Sequence, residues 1–361
     1  MKILFAGGGT AGHVEPALAV ARAWKVAHPD DQILFLGTKQ GLENTLVPAA
    51  GFELRHIPKV SIARKISPSL LKVPFQLISS ISATRRILKG VDCAVGFGGY
   101  VSGPLYLAAF LSRVPFVIHE QNAHPGWANR LGARLTNYCA LSYPVSNRVF
   151  TKAELTGLPL RSDVLEALSS ATGDWESARA NAKSAISARY GFDVNQPLVF
   201  IFGGSQGSQA INSIISQSRV ELTSAGISIL HGVGKNNPLP DASDSYRALS
   251  YIDQMAECYL AADLLIGRSG AVTCAEAQAL ARYSLFIPLP IGNGEQAANA
   301  ASLVTAGKAQ IIEQKNFSSD WLIENIKDLL SKSSNRPPEG DASGALAVDK
   351  IVAMIERAAG K

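Results

Sequence analysis

A glycine-rich loop near the start of the chain is the first set of residues that could bind a ligand. Gly7, Gly9 and Gly12 have the spacing G-x-G-x-x-G, which is typical of dinucleotide-binding loops. Such sites also need an acidic residue after the second strand to hold a ribose, and the strand predicted at residues 32–37 is not followed by one. The glycines still leave backbone N–H groups open at the start of a helix, where these groups favour an anion. The loop therefore predicts an anion-binding site, and it supports a NAD(P) site less well.

His13 directly follows this loop, on the side of the predicted sheet where ligands bind in open α/β folds. The unperturbed pKa of a histidine is about 6.5, so this imidazole can accept a proton at neutral pH. His13 is therefore a candidate general base. The alternative is a histidine that only caps the helix or packs against its neighbours.

The second half of the chain carries two similar loops, each between a predicted strand and a predicted helix. Residues 203–207 (GGSQG) supply backbone donors and the Ser205 hydroxyl, a combination that suits a diphosphate. They lack the G-K-[ST] ending of an ATP-binding loop, so we do not expect phosphoryl transfer. In residues 268–276 (RSGAVTCAE), Glu276 is suited to accept hydrogen bonds from both hydroxyls of a ribose. The sequence contains no D-x-D motif and no cluster of metal ligands, and we expect neither a metal nor a cofactor.

Strands alternate with helices in both halves, which predicts parallel sheets with helices on both faces. At 361 residues the chain exceeds the length at which one core usually keeps growing. The predicted fold class is α/β, with two Rossmann-like domains facing a central cleft. We predict a first domain at residues 1–160, a second at 161–340, and at 341–361 a closing helix that packs back on the first. Residues 169–188 are interpreted as a linker or surface helix, and residues 331–345 as a loop. The predicted strands comprise residues 2–6, 32–37, 93–98, 115–119, 198–202, 227–231, 262–266 and 284–288.

The net charge of +5 is modest, but basic residues are concentrated between residues 54 and 91. This segment contains eight Lys or Arg residues and no acidic residue, with apolar residues between the charges. Such a pattern is typical of a surface that binds an anionic membrane. A solvated helix face with an ordinary buried side explains it equally well.

Apolar runs and cysteines indicate in which cellular compartment the protein is located. No run reaches about 18 apolar residues and no signal-peptide pattern is present, so we expect no spanning helix and a location on the cytoplasmic side of the membrane. The four cysteines, Cys93, Cys139, Cys258 and Cys274, are scattered, and we expect free thiols in a reducing compartment.

In this order, the motifs resemble those of the MurG family, the N-acetylglucosaminyltransferases that make lipid II from lipid I in peptidoglycan synthesis. The resemblance runs nearly end to end. In the first half it rests on residues 8–14 (GGTAGHV), 98–104 (GGYVSGP) and 119–122 (HEQN). In the second half it rests on residues 203–207, 251–253 (YID), 268–276 and 296–299 (QAAN).

The resemblance implies a GT-B fold and an inverting, metal-independent transfer, with UDP-GlcNAc bound mainly by the second domain. It implies that Glu276 holds the ribose, that the Ile252 backbone contacts the uracil, and that Ser205 and Arg161 meet the nucleotide. Gln296 and Asn122 would contact the sugar. The diphosphate would be lined by the backbone of Ala271, Val272, Thr273, Cys274 and Ala275. His13, Tyr100 and Glu120 would belong to the acceptor side, and Thr10, Ala11 and Gly12 would bind substrate. No nucleic acid is implied as a partner.

We expect a single displacement, in which the 4-hydroxyl of the acceptor sugar attacks the anomeric carbon of GlcNAc and UDP leaves. His13 is the first candidate for the general base and Glu120 the second, with Tyr100 as a further catalytic residue on the acceptor side. Helix N-termini, backbone donors and Ser205 would stabilise the charge on the departing diphosphate.

Three residues depart from the family pattern. Ala11 stands where a glycine is common, which a negative φ would allow, and Leu158 replaces an asparagine before a proline. Glu295 replaces the first of two glutamines, which leaves a second sugar contact open. The alternative functions are a NAD(P)-dependent oxidoreductase, a UDP-GlcNAc 2-epimerase of the same layout without a lipid acceptor, and a membrane-docking scaffold that would not require two glycine loops.

Overall fold

The computed structural model describes residues 1–60, 73–145, 148–335 and 339–361, which divide into two units. Residues 1–161 with 344–361 form the N-unit, and residues 162–343 form the C-unit. Each unit is built on a parallel sheet with helices, so the predicted α/β class is confirmed.

The N-unit sheet has seven described strands, all parallel, because apolar runs such as KILFA can be buried on both faces only where helices cover both. Its strand order is β3-β2-β1-β4-β5-β6-β7. These strands are β1 (Lys2–Ala6), β2 (Gln32–Gly37), β3 (Glu53–His56), β4 (Cys93–Gly96), β5 (Phe116–Glu120), β6 (Cys139–Leu141) and β7 (Glu154–Leu155). The helices along them are α1 (Ala11–Ala27), α2 (Glu43–Ala49), α3 (Val73–Ile87), α4 (Ser102–Ser112) and α5 (Trp127–Gly132).

The strand order of the N-unit reverses between β1 and β4, so the loops after these two strands lead away from each other. In open α/β sheets this switch point leaves a crevice at the carboxyl edge, where ligands bind. The loop after β1 is the first glycine loop, and the loop after β4 contains Gly98 and Gly99, both with positive φ. The fold therefore brings two of the predicted motifs to one crevice.

The C-unit repeats this arrangement with six described strands in the order β10-β9-β8-β11-β12-β13, all parallel. Its switch point lies between β8 and β11, which precede the second glycine loop and Arg268. The strands are β8 (Leu198–Phe202), β9 (Ser228–Gly232), β10 (Tyr246–Leu249), β11 (Leu264–Gly267), β12 (Ser284–Phe286) and β13 (Ala309–Ile311). The helices are α6 (Ser162–Ala171), α7 (Trp175–Tyr190), α8 (Gln209–Ser224), α9 (Met255–Ala261), α10 (Ala271–Leu280), α11 (Glu295–Thr305) and α12 (Ser319–Ser334).

A last helix, α13 (Ala347–Ala359), belongs to the N-unit although it follows the C-unit in the chain. Its buried side chains Ile351, Met354 and Ile355 join the core cluster that contains Phe5 and Trp24. Burial of each such side chain contributes about 1.5–3 kcal/mol to stability, so this helix is part of the core.

Two segments differ from the sequence predictions. Residues 169–171 end α6 and residues 175–188 lie in α7, so of the two predicted alternatives the helix is present. Arg179 of α7 is buried, where it donates hydrogen bonds to the carbonyl oxygens of Leu260 and Leu280 at 3.2 and 2.6 Å. The segment is thus more than a linker. The loop predicted at residues 331–345 begins only after Ser334, because α12 continues to that residue.

Within the described ranges, every helix is too short or too polar to reach across a bilayer. All four cysteines are buried and outside disulfides, and burial raises the pKa of the Cys93, Cys139 and Cys258 thiols to about 12.

Candidate functional site

A cavity of about 270 Å³ lies at the switch point of the N-unit, beside the carboxyl ends of β1, β4 and β5. The backbone beside it is closely packed, because a Cβ on Gly7 would collide with the His13 carbonyl oxygen, and one on Gly99 with the Gly8 carbonyl oxygen of the other loop. Its lining includes Thr10, His13, Tyr100, Glu120, Asn122, Trp127 and Asn129. The structure thus brings the three predicted catalytic residues and Asn122 to one cavity.

His13 lies in the first turn of α1, where its Nδ1 is 3.0 Å from Oγ1 of Thr10. Gly98 lies beneath the ring, since a Cβ there would be 3.1 Å from Nε2. Burial lowers the pKa of His13 to about 4, against the opposing effect of the Glu43 carboxylate. The imidazole is therefore neutral at pH 7, which is the form that accepts a proton.

Glu120 is buried at the end of β5, and both of its carboxylate oxygens already accept hydrogen bonds. Oε1 accepts from the backbone N–H of Asn122 at 2.9 Å, and Oε2 accepts from the backbone N–H of Gly126 and from Nδ2 of Asn129, each at 3.0 Å. Burial raises the pKa of Glu120 in spite of these contacts. With its oxygens engaged, the carboxylate anchors the loop before α5, which makes it a less suitable base than His13.

Two aromatic side chains at the cavity are about half exposed and so are open to a ligand. These are Tyr100, at 51%, and Trp127, at 52%. Nζ of Lys59 lies 5.1 Å from the centre of the Tyr100 ring, a distance that allows a cation–π contact. The cavity thus offers two ring faces and a nearby cation to a ligand.

The second glycine loop lies between β8 and α8 in the C-unit. Gly204 and Gly207 have φ of +87° and +75°, a region that side chains disfavour, so the tight loop requires glycine at both places. Ser205 is half-buried on this loop. The loop presents a hydroxyl and backbone donors at a helix N-terminus, which suits an anion.

The N-terminus of α10 lies at the same switch point, after β11. Its N-cap residue is Gly270, and no side chain caps the helix, so the first-turn N–H groups of residues 271–273 remain open to a ligand. Glu276 follows in the second turn and is buried. The structure therefore brings Ser205, residues 271–275 and Glu276 to one edge of one sheet.

The remaining predicted donor residues lie at other places along the chain. Ile252 is buried between β10 and α9, close to Gly232 at the end of β9. Oε1 of Gln296 accepts a 2.9 Å hydrogen bond from the backbone N–H of Leu289. Arg161 is the last residue of the first segment of the N-unit, so the structure does not group it with the C-unit residues.

The three departures from the family pattern have local explanations. Ala11 starts α1 and is absent from the positive-φ residues, so its methyl group causes no strain. The apolar side chain of Leu158 is buried. At the third position, Oε2 of Glu295 accepts a 3.0 Å hydrogen bond from the backbone N–H of Asn293.

Two buried polar residues of the site were missed by the sequence analysis. Glu43 lies behind the first glycine loop, and Asn129 links Glu120 to Tyr106, whose hydroxyl donates to Oδ1 of Asn129 at 2.7 Å. The signal for Asn129 was its place shortly after HEQN. Glu43 carried no signal beyond an acidic residue at a helix start. Among the described residues there is no group of three His, Cys, Asp or Glu that could hold a metal ion.

Known proteins match the chain over both units. Residues 3–140 match the glycosyltransferase family 28 N-terminal domain, and residues 198–355 match the C-terminal domain of that family. A relative from Thermobifida fusca (strain YX) is named UDP-N-acetylglucosamine--N-acetylmuramyl-(pentapeptide) pyrophosphoryl-undecaprenol N-acetylglucosamine transferase. It is 43% identical over 366 residues, covering 99% of this chain and 89% of the relative. A relative of the same name from Corynebacterium glutamicum (strain R) is 41% identical, covering 95% and 93%.

Solved structures also match the fold of the chain over nearly its full length. Acinetobacter baumannii MurG matches with a TM-score of 0.69 and 26% identity over 99% of both chains. A UDP-GlcNAc 2-epimerase from Neisseria meningitidis shares the fold at a TM-score of 0.61 and 15% identity, covering 99% of this chain and all of that one.

The two parallel α/β units, the match to MurG and the two family matches together define a glycosyltransferase of the GT-B class. The family matches and the relatives make the assignment specific: the chain belongs to glycosyltransferase family 28. The resemblance found in the sequence is confirmed, and the oxidoreductase and scaffold alternatives have no support from these matches.

Proposed function

We propose that this chain transfers GlcNAc from UDP-GlcNAc to the 4-hydroxyl of MurNAc in lipid I, giving lipid II for peptidoglycan synthesis. The names of its relatives describe a GlcNAc transfer to a lipid-linked N-acetylmuramyl-pentapeptide. The observation that carries the proposal is the pair of switch-point sites. One offers open helix N-termini to a diphosphate, and the other offers a neutral imidazole beside a cavity.

In the proposed step, the 4-hydroxyl oxygen forms a bond to the anomeric carbon, and the bond from that carbon to UDP breaks. The hydroxyl proton passes to His13. Nδ1 of His13 is engaged by Thr10, so Nε2 is the nitrogen left for the substrate. Glu120 holds the loop that carries Asn122, and Tyr100 contributes a half-exposed face on the acceptor side.

We place UDP on the C-unit. The Ser205 loop and the open first turn of α10 would hold the diphosphate, because donors aimed at developing negative charge lower the barrier to its departure. Glu276 would hold the ribose, Ile252 the uracil and Arg161 the nucleotide. Gln296 and Asn122 would contact the sugar. The first domain would thus bind lipid I and the second UDP-GlcNAc.

We also propose that the protein is peripheral on the cytoplasmic side of the membrane and binds anionic lipid through the N-unit. In α3, Phe75 and Ile78 are exposed, at 75% and 66%. A groove of about 970 Å³ between α3 and the end of α4 is lined by Arg85, Arg86, Lys89 and Arg113 together with apolar side chains. Exposed apolar residues beside cations suit an anionic interface. Residues 61–72 of the basic segment, which include Arg64, Lys65, Leu71 and Lys72, lie outside the described residues.

One assay tests the reaction. UDP release from UDP-GlcNAc is measured with and without a short-chain lipid I analogue. We expect release to require the analogue and to yield a GlcNAc–MurNAc product. Conversion of UDP-GlcNAc without the analogue, to an epimerised sugar nucleotide, would contradict the transfer and favour the epimerase.

A further inference from the structure

Glu43, at the start of α2, is a buried carboxylate behind the first glycine loop. Only 1% of its surface is exposed. Oε2 accepts a hydrogen bond from the backbone N–H of Gly9 at 2.9 Å, and Oε1 accepts from the backbone N–H of Thr38 at 2.9 Å and from its hydroxyl at 3.3 Å. Both oxygens are therefore engaged, and one of them holds the glycine loop itself.

Three glycines leave the space that this side chain fills. A Cβ on Gly8 would lie 3.1 Å from Oε1, one on Gly37 would lie 2.6 Å from Cγ, and one on Gly41 would overlap the carboxylate. Burying a charge costs several kcal/mol unless hydrogen bonds compensate it. The donors of Gly9 and Thr38 compensate the charge of Glu43, so the burial of this charge depends on the fold of the glycine loop.

We propose that Glu43 is a positioning residue for glycosyl transfer: it fixes the backbone of the first glycine loop and places a negative charge against the loop that leads into His13. The part that concerns His13 rests on its proposed role as the base. Gly9 has a φ of +94°, and its contact with Oε2 of Glu43 fixes that turn directly before Thr10 and His13. Glu43 does not itself line the cavity, but Gly9 does, so its action passes through this loop.

The groups around His13 determine the sign of the electrostatic effect. Burial lowers the pKa of His13, and the negative charge of Glu43 opposes that shift. The other titratable groups that line the same cavity are Glu120 from β5 and Tyr100 from the loop after β4, with Lys59 beside the tyrosine ring. Removal of the Glu43 charge therefore lowers the pKa of His13 further, which makes it a weaker base.

The test compares Glu43→Gln and Glu43→Asp with the parent enzyme. Glu43→Gln keeps the size of the side chain but removes the charge and turns an amide NH₂ toward a backbone donor. We expect kcat/KM at pH 7 to fall about ten- to a hundredfold, the range expected for losing a hydrogen bond to a charged group. We also expect the imidazole titration of His13, followed by NMR and assigned with a His13→Gln variant, to move to lower pH. Glu43→Asp keeps the charge, so it should lower kcat/KM through the loop but leave that titration closer to the parent's.

Glu53→Gln is the matched control, since Glu53 is an exposed carboxylate of the same unit that pairs only with Arg55 among its described ion pairs. It should leave both readouts unchanged. If Glu43→Gln lowers kcat/KM only in proportion to a loss of folded protein, with the titration of His13 unmoved, the proposal is wrong and Glu43 is merely structural. Parent-like kcat/KM in Glu43→Gln also overturns it. The His13→Gln variant is assayed first. Full activity of this variant would refute the proposed role of His13 as the general base, and this outcome is distinguishable from a result that refutes the positioning role of Glu43.

Discussion

The guanidinium of Arg268 donates a hydrogen bond from Nη2 to Oγ of Ser208 at 2.8 Å, which joins the two loops at the switch point of the C-unit. Ser208 is the N-cap of α8, where its Oγ accepts from the backbone N–H of Ile211, and it directly follows the second glycine loop. Arg268 also donates to the carbonyl oxygens of Ile287 and Pro288, at 2.9 and 3.2 Å. One buried cation therefore sets the spacing between the loops that we assign to the diphosphate.

Arg268→Met should raise the KM for UDP-GlcNAc and lower the free energy of unfolding by about 3 kcal/mol, because it leaves buried acceptors without a donor. Donor kinetics and chemical denaturation measure the two effects. Arg179→Met is the matched control, since Arg179 is also buried and donates to carbonyl oxygens, but at the ends of α9 and α10. It should lower stability with the donor KM unchanged. Equal effects of both variants on KM would contradict the proposed role of Arg268.

Glu276→Ala should raise the KM for UDP-GlcNAc more than it lowers kcat. A ribose contact is made equally in the ground state and the transition state, so its loss weakens binding without slowing the chemical step. Competing UDP-sugars should be weakened to the same extent. A large decrease confined to kcat would show that Glu276 acts on the reacting centre instead.

The free energy of unfolding should decrease as the pH falls from 7 to 5. Burial lowers the pKa of His13, His119 and His231 to about 4, below the value of about 6.5 in the unfolded chain. Between these values the unfolded state binds more protons, so each histidine costs up to about 1.4 kcal/mol per pH unit below pH 6.5. Urea denaturation at several pH values measures the slope.

His231→Asn should make that slope shallower, even if the variant is less stable at pH 7. His124→Gln is the control, because it removes an exposed histidine instead of a buried one. A slope that stays the same in His231→Asn would contradict the buried, neutral state of this histidine.

Replacing Arg85, Arg86 and Lys89 with Gln should weaken binding to vesicles that contain anionic lipid by up to about 3 kcal/mol, since each nearby cation contributes about 1 kcal/mol. Replacing Phe75 and Ile78 with Ser should weaken it in a way that added salt does not reproduce, because that contribution is apolar burial. Vesicle co-sedimentation measures both. Transfer to a short-chain acceptor should survive these changes.

Replacing the exposed Lys315, Lys327 and Lys332 of the C-unit with Gln changes the net charge by the same amount and serves as the control. If this control weakens vesicle binding as much as the α3 set does, the α3 surface is only a solvated face.

Sequence patterns predicted the central strands well because these are continuous apolar runs: β1, β2 and β8 have the predicted bounds. They missed five strands, and four of these lie at the edges of their sheets: β3, β7, β10 and β13, with β6 as the interior exception. β3 is exposed at three of its four residues, so its sequence, ELRH, carries no apolar run. An edge strand is determined by its neighbour more than by its own composition.

The residues of the candidate site likewise divide into those that the sequence revealed and those that only the fold revealed. The glycine loops and His13 could be found because local backbone geometry requires their residue types in a fixed order. Glu43 and Asn129 could not, because their roles arise from contacts across 34 and 9 residues of chain. An acid in the first turn of a helix is ordinary by itself, and only the fold reveals that Glu43 lies behind Gly9.

The position of α13 has a consequence for synthesis on the ribosome. The core around Trp24 needs Ile351, Met354 and Ile355, which are translated after the whole C-unit. During translation the N-unit therefore keeps an uncovered apolar surface until α13 has been synthesised, whereas every segment of the C-unit is synthesised before α13. Contacts so distant along the chain form slowly, and the exposed surface is open to aggregation in the meantime. A chaperone that shields α1 during translation would have its greatest effect in this interval.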